Sequence, residues 1–159
     1  MRKEHLVVAG VIGGSLLLMA GLAALGGRSR QPIADVTAAC VQHDGVGMHI
    51  HSQLKIVIDG SERAIPSVIG ISPGCMRPIH THDDTGKIHA EFPTIQEVGL
   101  GQFFQIWGQP FSKEQILDRV IGADDTLRVT VNDQETAEWD QLLLHDGDAI
   151  MIDIRKKTE

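Results

Sequence analysis

Three short motifs carry the chemistry of this 159-residue chain: His49-x-His51, His80-x-His82 and His89-x-Glu91. Each sets two metal-capable side chains two residues apart, and in a β-strand residues i and i+2 share a face. Neutral imidazole is the commonest biological metal ligand, and a carboxylate beside it suits zinc, copper or non-haem iron. Five of the eight histidines belong to these pairs. A single H-x-H on a strand is usually solvated surface, but three pairs between positions 49 and 91 argue for one shared metal site. His5, His43 and His145 stand alone and receive no role.

Whether the pairs meet depends on the elements that carry them. Asp83-Asp84-Thr85-Gly86 separates two short stretches, 79–82 and 87–92, and reads as a hairpin loop. With a two-residue turn at Asp84-Thr85, or a four-residue loop over 83–86, residue 82 faces 87 and residue 80 faces 89. His80, His82, His89 and Glu91 then share a face, and His80 opposes His89 at the roughly 4.5–5.5 Å Cβ separation of paired residues. A three-residue loop would split the set between faces. The same register puts Lys87 opposite His82, where its ammonium must swing out to solvent. Zinc takes three or four protein ligands. The expected ligands are therefore His80, His82 and His89, joined by one or both of His49 and His51 from a neighbouring strand. Glu91 or Asp83 is expected as a weak ligand, or as a partner that orients an imidazole. Met48 and Met76 lie beside the motifs and offer soft donors for copper.

Around these motifs the pattern is mainly β. Residues 48–58 alternate, with Leu54, Ile56 and Ile58 against Lys55, and Asp59-Gly60 follows as a hairpin turn. Strands are predicted over 62–65, 127–131 and 149–154, with Asn132-Asp133 as a turn. Helices are predicted over 100–107, stopped by Gly108 and Pro110, and over 113–120, where Ser112 and Gln115 form a capping-box pattern. The resulting expectation is one antiparallel β-rich domain over 47–159 with one or two short helices, preceded by a connector over 31–46 with a short helix near Asp35.

The first thirty residues read differently. The stretch that begins at Leu6 and ends at Gly27 contains no charged residue. At about 1.5 Å per residue, a helix of that length covers the roughly 30 Å hydrocarbon core. It predicts a single transmembrane signal-anchor over 1–30, with a cleaved secretory signal as the alternative. Gly10 and Gly14 form a small-xxx-small pair suited to a membrane-protein partner. The remainder is expected in the periplasm or exterior. Arg2, Lys3, Arg28 and Arg30 against Glu4 leave these residues at +3; the chain totals −7, so the remainder carries −10. That acidity argues against nucleic acid as a partner and favours cations. Cys40 and Cys75 are the only cysteines, which suits either one disulfide in an oxidising compartment or thiolate ligation.

From His49 to Gly108 the chain resembles a family of exported bacterial and archaeal histidine-rich domains of uncharacterised activity. The likeness rests on H-I-H at 49–51, I-P-x-x-I-G-I at 65–71, Cys75, P-x-H-T-H-D-x-x-G-x-x-H-x-E at 78–91 and L-G-Q-F-F-x-x-W-G at 100–108. The resemblance implies an extracytoplasmic histidine-cluster domain with a Cys40–Cys75 disulfide, and implies no particular reaction.

Three functions follow. The first is a membrane-anchored extracytoplasmic metal-binding protein that holds a copper or zinc ion. A non-catalytic accessory subunit of a larger, energy-converting membrane complex is the second. The third is a metal-dependent enzyme whose three-histidine ion activates water, with Glu91 or Asp83 as base. No H-E-x-x-H, nucleophile elbow or phosphate loop is present, so the balance leans away from an enzyme. A blue-copper carrier using the Cys75 thiolate with His80 is a narrower variant.

Overall fold

Alternation builds the sheet that carries the motifs. In β1 (Met48–Ile58), Leu54, Ile56 and Ile58 are buried while Gln53 and Lys55 are exposed. That period of two marks a strand with one face on a core. Asp59 and Gly60, both at positive φ, turn the chain into β2 (Ser61–Arg63), as the Asp-Gly signal predicts. The computed structural model describes residues 33–157. The expected anchor from Leu6 to Gly27, with its Gly10/Gly14 face, lies outside the described residues. Among those residues no helix is long and apolar enough to cross a membrane.

The fold is mainly β. After β2 come β3 (Ile71–Ser72), β4 (Cys75–Met76), β5 (Ile79–His80), β6 (Lys87–Phe92) and α1 (Leu100–Trp107). They are followed by β7 (Gln115–Ile116), β8 (Arg119–Val120), β9 (Asp125–Val131), β10 (Gln134–Thr136), a 3-10 turn at Trp139–Gln141, and β11 (Ala149–Lys156). The main sheet runs β10-β9-β11-β1-β6-β5, with β2 also beside β1. One edge of β1 pairs with β11, and the other pairs first with β6 and then with β2. The β1–β11 pair is parallel, so the sheet is mixed and the expectation of an antiparallel domain is corrected there. Nothing in either strand's own alternation records the direction of a partner almost a hundred residues away.

The core lies on one side of this sheet. Ile56, Ile79, Ile88, Phe92, Val129 and Ile152 pack with Leu100, Phe103 and Phe104 of α1. Each such side chain contributes about 1.5–3 kcal/mol by leaving water. A Cβ at Gly101 would stand 2.6 Å from the Asp140 carbonyl oxygen, so glycine is what lets α1 seat against the 3-10 turn.

The helix predicted over 113–120 does not form. Ser112 Oγ accepts the backbone N–H groups of Glu114 and Gln115, a bond that serves a turn as well as a helix. The chain instead reverses at Leu117 (φ 52°) into the β7–β8 hairpin, which buries Ile116 in the core. The helix expected near Asp35 is likewise a single turn, closed by Asp35 Oδ1 accepting the N–H groups of Thr37 and Ala38. That segment is fastened to the sheet domain. Cys40 and Cys75 form a disulfide, and the Val41 N–H donates to the Met76 carbonyl at 2.8 Å.

Candidate metal centre

Register decides which side chains meet. On one side of β6, His80 of β5 pairs with His89. On the other side, His51 of β1 pairs with His89 and His49 pairs with Glu91. These positions alternate with the buried Ile79, Ile88 and Ala90, so they line the sheet face opposite the core. The His80–His89 pairing is the one the 83–86 loop predicts. Gly86 (φ +82°) holds that loop against β1: its carbonyl accepts the Leu54 N–H at 2.9 Å, and a Cβ there would lie 2.3 Å from the Leu54 oxygen.

Strand β5 ends at His80 because Thr81 turns away. Its hydroxyl donates to the Pro66 carbonyl at 2.9 Å and accepts the Ile69 N–H at 3.0 Å. His82 therefore leaves the strand, yet its ring folds back to 4.7 Å from those of both His80 and His89. Lys87 stays exposed. Asp83, expected as a weak ligand or orienting partner, lies outside both groups of converging donors. Its carboxylate accepts the Thr85 N–H and hydroxyl, bonds that hold its pKa below the usual value and fasten the loop.

The side chains assemble into two groups that share His89. The donor atoms of His80, His82, His89 and Glu91 all lie within 4.8 Å of one another, as do those of His49, His51 and His89. His80 is fully buried, and its Nδ1–H donates to the Arg77 carbonyl at 2.9 Å. This fixes the tautomer and turns the free Nε2 lone pair inward. His80 Nε2 stands 3.1 Å from His82 Nε2, and His49 Nε2 stands 3.4 Å from His89 Nδ1. Two imidazole nitrogens on one tetrahedral zinc, each at about 2.0–2.1 Å, are about 3.3–3.4 Å apart. The second separation matches this spacing, and the first is slightly shorter.

Glu91 is 1% exposed. Its Oε2 accepts from His43 Nδ1 at 3.0 Å. Its Oε1 lies 3.2 Å from His49 Nε2 and 3.8 Å from His80 Nε2, but accepts no hydrogen bond. A buried carboxylate oxygen that accepts no hydrogen bond is costly by itself and is satisfied by a cation.

The same burial keeps the rings neutral. Desolvation lowers the pKa of His80 to about 4, partly opposed by the Arg77 carbonyl and by Glu91. His89 is also lowered to about 4, first by burial and then by the surrounding His51, His82, His80 and His49. Near neutral pH both therefore keep the lone pairs that metal ligation requires.

No protein-family model, curated protein or solved structure matches this chain. The site itself must carry the functional argument.

Sequence reasoning missed His43. Its ring stacks on His82, with centroids 6.0 Å apart, while it donates to Glu91. The signal was available: His43 follows Cys40 by three residues and His80 follows Cys75 by five, so the disulfide brings the two histidines together. Met48 packs against the core. Because Cys75 is oxidised, the blue-copper variant loses its thiolate. His145 lies outside both groups, paired with Asp148 at 3.2 Å.

Proposed function

We propose that this chain is a membrane-anchored, extracytoplasmic metal-binding protein that holds one copper or zinc ion between His80, His82, His89 and Glu91. The observation that carries the reading is the buried Oε1 of Glu91, which accepts no hydrogen bond and lies 3.8 Å from His80 Nε2, whose lone pair is left open by the Nδ1–H bond to Arg77. Three nitrogens and one carboxylate oxygen suit either ion, and availability rather than affinity decides between them. Four protein donors close a tetrahedral shell, whereas a zinc enzyme keeps a position open for water. The set therefore favours holding an ion over catalysis. The Cys40–Cys75 disulfide supports an oxidising compartment, and the uncharged stretch from Leu6 to Gly27 supports a membrane anchor. The resemblance to exported histidine-rich domains points the same way.

A second reading, an accessory subunit of a larger membrane complex, is favoured by an apolar groove of 430 Å³ lined by Met48, Ile50, Ile95, Val98 and Leu143. Ile95 is 84% exposed there, and such patches mark interaction surfaces.

Elemental analysis tests the first reading. Chain purified without a histidine tag or chelator is expected to carry stoichiometric copper or zinc, and His80→Ala and His89→Ala to lose it. Wild type that carries no metal, and binds none more tightly than the variants, refutes it.

A further inference from the structure

We propose a second cation position beside the first, formed by His49, His51 and Nδ1 of His89, so that the cluster holds two ions and His89, its ring N–H proton released to solvent, bridges them as an imidazolate. The inference rests on the reading of the first site given above.

The donor count requires more than one position. An ion of this kind takes about four donors. Once His80, His82, His89 and Glu91 are assigned, His49 and His51 remain on the same face, their donor atoms grouped with His89. The sheet register explains why they converge. His80, His89 and His51 form a row across β5, β6 and β1, and the middle ring has a partner on each side. His51 and His49 lie with ring centroids 4.6 and 5.7 Å from that of His89, and 4.5 Å from each other. The 3.4 Å between His49 Nε2 and His89 Nδ1 equals the separation of two ligands on one zinc. The same His49 Nε2 lies 3.2 Å from Glu91 Oε1, so the two positions adjoin.

The β1 motif is also held in place from outside the site. The His51 N–H donates to Asp146 Oδ1 at 2.9 Å, and the His51 carbonyl accepts the Gly147 N–H at 2.7 Å. The same Asp146 oxygen lies 3.6 Å from His51 Nδ1, which sets a carboxylate at the border of the second position. The two positions differ in access. In the inner set His80 and Glu91 are buried and His82 is exposed, whereas the side chains of His49 and His51 in the outer set are 45% and 42% exposed. The outer ion is the exchangeable one, and a chelator removes it before the inner ion.

The test is a copper(II) titration of the full-length, tag-free chain, followed by calorimetry and electron paramagnetic resonance. Two equivalents are expected. The second should broaden the signal of the first, because the ions are neighbours. His51→Ala and His49→Ala should each bind one equivalent, without broadening, at an affinity within about threefold of the first site in wild type. Circular dichroism confirms that the variants are folded. One equivalent in wild type overturns the second position and leaves the first standing. Two equivalents without broadening, or two in both variants, also overturn it, since the extra copper then sits elsewhere on the surface. A wild type that binds none removes both readings.

Discussion

Replacing Glu91 with glutamine should move stability in opposite directions with and without metal. In the metal-free chain Glu91 is a buried carboxylate with one oxygen bonded to His43 and the other open. An unsatisfied buried acceptor costs about 1–3 kcal/mol, and more when charged. Glutamine keeps the His43 bond through its own oxygen. It also turns an amide N–H towards His49 Nε2 and His80 Nε2, 3.2 and 3.8 Å from the present Oε1. Metal-free Glu91→Gln is therefore expected to gain about 1–2 kcal/mol, or roughly 4–8 °C in Tm for a domain of this size. In saturating zinc the order reverses. A ligand at a thousandfold excess over its Kd adds about 4 kcal/mol to the state that binds it, and the variant has lost the only anionic donor of the inner set. Differential scanning calorimetry of both proteins, in chelator and in zinc, reads all four values. A variant less stable than wild type in chelator would make Glu91 an ordinary structural acceptor. An equal zinc shift in both proteins would remove it from the coordination shell.

Two further predictions concern protons and the disulfide. In unfolded chain histidine titrates near 6.5, while His80 in the fold stays neutral to about 4, so acid favours unfolding. The stability from His80 is complete above pH 6.5 and is lost as pH falls to about 4, by on the order of 3 kcal/mol; a His80 ring that titrates near 6.5 by NMR in the metal-free protein contradicts this. Reduction of Cys40–Cys75, which closes a 35-residue separation, should cost about 4 kcal/mol and free the segment that seats His43 on Glu91. Zinc affinity and Tm should then fall together in reductant, and an unchanged Tm would sink the idea.

Local pattern disclosed the parts of this fold that local physics sets. The alternation of β1, the Asp59-Gly60 turn and helix α1 could all be read directly, and the length of the 83–86 loop set His80 opposite His89. What pairs at long range could not be read. Nothing near His49 or His51 announces β6 as their neighbour, and nothing near β11 announces a parallel partner. Glu91 looked peripheral because its burial depends on His43 and the disulfide-tethered segment, which reach it from forty-eight residues upstream. The predicted helix over 113–120 failed because a serine cap stabilises any tight turn, and Ile116 gains more by reaching the core in a hairpin.

The most direct measurement is anomalous diffraction at the metal edge from crystals of chain purified without chelator. The account predicts a peak about 2.0–2.2 Å from His80 Nε2, His82 Nε2 and Glu91 Oε1. A cluster without any peak, or with its peak only at a surface histidine such as His145, would contradict it.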